Sequence, residues 1–294
     1  MAASDVGFRT SEPPRLHLLG QTRAILARRE VLGNLTSKEL KVKYKSTVLG
    51  VIWSMLNPLL YLLVFFLVFT FFLRSGIPDF AVYLLSGLLG YTMFSTGLMG
   101  ATGSIVDNAA LVSKIAFPRE ILPLSTIGAA LVNFFYQFLV LIAFLLAIGY
   151  SFIGPAFALV PGALAVLLLF TTALGLGTAA LNVRYRDTRH LIELSLIAWF
   201  WVTPIVYPAS LVLDRLGEAS IAARVYLANP LTAITLAFQR AIYGGESESL
   251  PELPVAGITW YWYRLGLVAA ASIVLLVLTW RTFFRMSGDF AEEL

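Results

Sequence analysis

The sequence predicts an all-α membrane protein. It has six transmembrane helices, an N-terminal amphipathic helix at the membrane interface and external helices between spans five and six. Three observations carry that expectation. Six apolar runs, at 49–73, 81–103, 121–149, 156–181, 191–209 and 265–284, are each near or above the ~20 residues that a helix needs to cross a hydrocarbon core. The 294-residue chain is 59% hydrophobic and 13% charged, about half the charged share of a soluble domain. Its basic residues also sort by side. With the N-terminus inside, 16 of the 21 Lys and Arg fall on the inner face, and five (Arg74, Arg215, Arg224, Arg240 and Arg264) on the outer face. That bias predicts both termini in the cytoplasm and a multi-pass protein of the inner membrane.

Residues 1–48 read as a cytoplasmic N-terminal region and 49–294 as the transmembrane domain. Leu18, Ile25 and Leu32 recur every seven residues among Arg15, Arg23, Arg28 and Arg29, the pattern of a basic amphipathic helix lying along a membrane surface. Thr36 or Ser37 reads as the cap of a second basic helix that carries Lys38, Lys41 and Lys45 on one face. No cleavable signal peptide is visible before the first span. Asn57-Pro58 predicts a kink in span one. Thr96, Gly100 and Ser104 give span two a small-residue face. Gly175-x-Gly177-x-x-Ala180 has the look of a dinucleotide fingerprint, but it lies inside an apolar helix with no preceding strand and reads as a packing seam. Arg189 and Glu193 read as a local i,i+4 ion pair. The segment 210–263 reads as external, with a helix over 229–243 and an aromatic anchor at Trp260, Tyr261, Trp262 and Tyr263.

Much chemistry is excluded. The chain has no cysteine and two histidines far apart, His17 and His190, so thiolate sites and disulfides are out, and no metal site is predicted. No Walker loop, G-x-S-x-G or H-E-x-x-H run occurs, so no catalytic residue is assigned and this chain does not bind ATP by itself. The spans carry almost no ionisable groups, which argues against an ion-coupled transporter. The net charge of +4 reads as attraction to an anionic leaflet rather than to nucleic acid. A membrane scaffold remains, and it needs a separate subunit to supply ATP.

Four motifs make the kind of this scaffold recognisable. Residues 39–58, from Glu39-Leu40-Lys41 to Asn57-Pro58, resemble the signature of the transmembrane permease subunit of type 2 ABC exporters for polysaccharides, the O-antigen, teichoic-acid and capsule export permeases. The run at 114–120 resembles that family's lysine-x-x-phenylalanine-proline-arginine-glutamate loop. Residues 182–187 resemble its asparagine-x-x-x-arginine-aspartate turn, and Asn229-Pro230-Leu231-Thr232 with Arg240 its external helix. The resemblance implies a homodimer of permeases joined to two ATP-binding cassette ATPase subunits, which hold the ATP and Mg; this chain has no cofactor. It implies export of a polyprenyl-diphosphate-linked glycan past external gate helices. Two alternatives stay open: a type 2 ABC exporter of a small drug or lipid, and an ATP-independent flippase or membrane enzyme acting on polyprenyl-linked sugars.

Candidate residues follow from this reading. Lys114, Phe117, Pro118, Arg119 and Glu120 are assigned to ATPase coupling. Lys41, Lys43, Lys45 and Arg119 are the cationic donors for a lipid diphosphate; the plainer alternative is general attraction to anionic lipid, about 1 kcal/mol each. Tyr61, Tyr91, Trp199, Trp201 and Tyr207 are assigned to a substrate channel spanning the dimer, with spans one and five placed at it and Trp53 a further aromatic candidate. The alternative for each is an anchor in lipid or at its interface.

Overall fold

The computed structural model describes residues 28–45 and 47, isolated positions between 52 and 68, and residues 77–114, 117–217, 220–244 and 257–294. Helices α1 (Arg29–Tyr44), α2 (Phe80–Gly103), α3 (Ala109–Lys114), α4 (Ile121–Ala147) and α5 (Leu159–Arg184) are followed by α6 (Thr188–Val202), α7 (Ala209–Leu216) and α8 (Ile221–Ala228). Then come α9 (Pro230–Ile242), α10 (Ile258–Ser287) and α11 (Phe290–Glu293). Short 3₁₀ turns at Val106–Asn108 and Pro155–Ala158 lead into α3 and α5. Among the described residues there is no strand.

Four of these elements are long and apolar enough to cross a membrane: α2, α4, α5 with its leading turn, and α10. The pair α8–α9, bent by 74°, makes a fifth candidate if it counts as one broken span. The expected span over 49–73 lies, apart from those isolated positions, outside the described residues. Lipid tails offer no hydrophobic drive between helices, so close approach by small side chains holds such a bundle together. The seam at Gly175 and Gly177 works this way. A Cβ on Gly175 would meet Ala101 at 2.9 Å, and one on Gly177 would meet Thr279 of α10 at 2.9 Å. The aromatic centre is Phe94 of α2 stacked on Phe170 of α5, at 5.6 Å, with Trp199 of α6 edge-on to both.

The elements expected near span five depart from the sequence reading. Helix α6 stops at Val202 and has 15 residues, roughly 22 Å of helix, short of a ~30 Å core. The run continues past Val202 as apolar residues, but Pro204 and Pro208 follow, and helices do not continue through such positions. The freed carbonyls are taken up by neighbours: Tyr83 donates to the carbonyl of Tyr207 at 2.8 Å, and Gln239 to that of Pro204 at 2.9 Å. Helix α9, expected as an external helix, is inside the bundle. Twelve of its 13 residues are buried, and it packs against α2, α5 and α10. Phe238 lies over Gly90, where a Cβ would stand 3.0 Å from the ring. Thr232, Thr235, Gln239 and Arg240 are all buried with it; around a bundle whose outer surface is apolar, polar groups are drawn inward, and Gln239 finds the Pro204 carbonyl there.

Helix α1 also differs. It runs through Thr36 and Ser37 without a break, because Thr36 sits on the packing face, its hydroxyl 3.0 Å from where a Cβ on Gly128 of α4 would be. The amphipathic stretch predicted before Arg28 lies outside the described residues.

The bundle has two chemically distinct ends. One gathers the starts of α1, α4 and α6 with the ends of α2, α5 and α10, and with them Lys38, Arg119, Arg184, Arg186, Arg189 and Arg285; we call it the basic end. The other holds Tyr83, Tyr150, Tyr207, Tyr243 and Tyr261. There Tyr150 donates to the carbonyl of Tyr243 at 2.8 Å, and the Tyr83 and Tyr243 rings meet edge to face.

Candidate functional site

At the basic end, the chain leaves α2 through the 3₁₀ turn Val106–Asn108 and enters the six-residue α3. Lys114 closes that helix; its side chain lies outside the described residues. Phe117 resumes the chain, half-buried against a small apolar cluster that includes Val112, Leu122, Phe283 and Phe290. The carbonyls of Pro118, Arg119 and Glu120 accept from the amides of Ile121, Leu122 and Leu124, so the loop winds directly into α4. The Arg119 guanidinium lies 5.8 Å from the centre of the Phe290 ring, within cation–π range, and burial lowers its pKa. Phe290 belongs to α11, the last helix, which folds back onto α3 and α5. Glu120 is buried, and burial pushes its carboxyl above the ordinary range, opposed by a backbone hydrogen bond and by the charge of Arg28.

Two further helices converge on the 3₁₀ turn. Lys38 of α1 donates to Asn108 at 2.7 Å, and Asn108 in turn donates to the carbonyl of Ser104. Arg189, on the first turn of α6, pairs with Asp107 at 3.2 Å. This corrects the local pair expected of Arg189: Glu193 faces His190 instead, at 3.8 Å. The partners Asn108 of Lys38 and Asp107 of Arg189 were not visible in the sequence, because each is remote along the chain.

The cationic candidates are not gathered into one cluster. Lys41 and Lys45 are exposed in the last turn of α1 and just beyond it, and the Lys43 side chain lies outside the described residues. Arg119 neighbours Glu120, which feels Arg28 at the opposite end of α1. Between α1, α2 and α4 opens a cavity of about 270 Å³, whose polar wall is Glu39, Thr96, Thr126 and Asn133. The sequence signal for it was the small face of Thr96 and Gly100, read as helix contact alone.

The aromatic candidates divide. Tyr91 is buried, its hydroxyl donates to the carbonyl of Leu196, and its ring meets Phe200 edge to face. The Trp199 indole donates to Asn229 at 2.9 Å. Both rings are therefore engaged within the chain. Trp201 is 55% exposed, and Tyr207 donates to its carbonyl at 2.8 Å. With Leu191, Leu194 and Ile197, Trp201 makes α6 an outward apolar face; Leu196 is the one buried residue of that helix. Trp53 is exposed, and Tyr61 lies outside the described residues.

Residues 30–243, well over half of the chain, match the ABC-2 type transporter family. The O-antigen export system permease protein RfbA of Myxococcus xanthus is 32% identical over 274 residues, covering 92% of this chain and 98% of that protein. Its namesake in Klebsiella pneumoniae is 27% identical over 268 residues, covering 90% and 95%. The polysialic acid transport protein KpsM of Escherichia coli is 30% identical over 94 residues, 31% of this chain and 35% of that protein. With four to five candidate spans and a family match across both the basic-end loop and the buried α9, the chain is a multi-pass membrane protein of the ABC-2 type transporter family.

Proposed function

We propose that this chain is the permease subunit of an ATP-driven exporter that moves polyprenyl-diphosphate-linked polysaccharide across a bacterial inner membrane. One observation carries the reading: the similarity to a protein named an O-antigen export permease extends over 98% of that protein and 92% of this chain. The likeness to a polysialic acid transport protein supports a polymer rather than a small drug as cargo. In this reading two copies pair, each span set numbers six with 49–73 as the first, and the stretch before α1 lies along the inner leaflet. Both termini are cytoplasmic. The basic end faces two ATPase subunits, and the loop 114–120 receives their motion. Lys41, Lys43 and Lys45 attract the lipid diphosphate. Trp201, Tyr207 and Tyr61 line the path between copies, and α8–α9 gate its outer mouth.

The test is export by the permease together with its ATPase subunits. Cells lacking the permease should retain lipid-linked glycan inside, and the restored gene should bring glycan to the surface, labelled on intact cells by periodate and a membrane-impermeant hydrazide. Surface glycan that is independent of the permease sinks the reading.

A further inference from the structure

The ion pair between Asp107 and Arg189 joins two parts of the chain with different tasks under the export reading, on which this inference rests. Asp107 sits in the 3₁₀ turn that leads directly into α3, so it moves with the loop assigned to the ATPase. Arg189 is the second residue of α6, so it moves with the helix that carries Trp201. Their side chains meet at 3.2 Å, about half-exposed on both sides. A pair so exposed contributes little to stability, and water can replace either partner at small cost. A deeply buried pair would instead hold one geometry. The contact is thus suited to break and re-form within a cycle.

The end of α2 keeps room for it. A Cβ on Gly103 would stand 2.7 Å from the Asp107 carboxylate and 3.3 Å from the Arg189 guanidinium, so any larger residue displaces the pair without removing a charge. A second polar contact, Lys38 to Asn108 at 2.7 Å, fixes the same turn from the other side, against α1. The turn is therefore held on one side by α1 and linked on the other to α6.

The geometry points to Asp107 and Arg189 as positioning residues that carry motion of the ATPase-facing loop into α6. They touch no substrate; they act through α3 and α6.

The experiment uses the full permease with its ATPase subunits and reads two quantities: surface glycan on intact cells, and ATP hydrolysis by the purified complex. Asp107→Asn and Arg189→Gln should each lower export about threefold to fivefold, the range open to an exposed pair, while hydrolysis stays within twofold of the unaltered complex. Reversing the pair, Asp107→Arg with Arg189→Asp, should restore export to within twofold. Gly103→Ala should resemble Asp107→Asn, and combining the two should add nothing further. Single variants that export at the unaltered level, or a reversed pair no better than either single change, overturn the inference while leaving the export reading intact. An unaltered complex that hydrolyses ATP but brings no glycan to the surface overturns both.

Discussion

Helices α6 and α9 are similar in length, 15 and 13 residues, and opposite in fate. By hydropathy α6 belongs to a span, yet one of its residues is buried; α9 reads as part of an external segment, yet twelve of its residues are buried. In water the apolar helix would be inside and the mixed one outside. In a bilayer the rule weakens, because the surroundings are as apolar as the core. What draws a helix inward is then its need for polar partners and small surfaces to approach. Helix α9 has Gln239 reaching the Pro204 carbonyl and Phe238 set over Gly90. Helix α6 leaves Leu191, Leu194, Ile197 and Trp201 facing away from the rest of the described chain, a face open to lipid or, in the proposed pairing, to a second copy.

The largest expected effect tests the buried side of this contrast. Phe238 is fully buried among Gly90, Phe134 and neighbours on α9. Phe238→Ala should cost about 3–5 kcal/mol, read as a fall in the unfolding midpoint of the purified protein; a loss below about 1 kcal/mol would mean that α9 is not core. Asn229 joins the two helices. It accepts from Trp199 on α6 and from the Leu231 amide at the start of α9, so Asn229→Ala should cost about 1–2 kcal/mol. Asn229→Asp, which keeps the accepting oxygen, should recover most of that cost, and equal losses in both would remove the joint from the account. Trp201→Ala on the exposed face should change stability by no more than about 0.5 kcal/mol while reducing export severalfold. Unchanged export would leave that face to lipid alone.

The smallest effect is at the basic end. Burial holds the Glu120 carboxyl above its ordinary pKa, so the folded state binds this proton more tightly than the unfolded one. Its contribution to stability is therefore most favourable below the ordinary carboxylate value, and falls as pH rises from there through the raised value. Glu120→Gln should remove that slope from a plot of unfolding midpoint against pH. A variant with the same slope as the unaltered chain assigns the titration elsewhere.

Much of the bundle was legible from apolarity. Spans predicted at 81–103 and 121–149 correspond to α2 and α4 nearly residue for residue, and 156–181 to α5. Helix α10 begins seven residues ahead of its predicted run because Trp260, Tyr261, Trp262 and Tyr263, expected as an interfacial anchor, are part of the helix. Apolarity does not report helicity, so Val206 and its neighbours were counted into a span although prolines interrupt it. The loop 114–120 was recognisable from its residues, but Phe290 was not, since no periodicity links Arg119 to a side chain so far along the chain. Arg189 was given a neighbour four residues away, the pairing that a linear sequence displays; its partner Asp107 required the ends of α2 and α6 to be brought together.

The seat of α9 bears on the order of synthesis. Its slot has α2 and α5 for two walls and α10 for a third, and α10 is made last of these. When α9 leaves the ribosome the slot is still open on the side that α10 will close, although the Pro204 carbonyl that receives Gln239 is already made. Helix α1 faces the same delay at the other end, since Gly128 of α4, its seat, emerges some ninety residues later in the sequence. Each seat is thus complete only once a later segment has been made, α10 for α9 and α4 for α1.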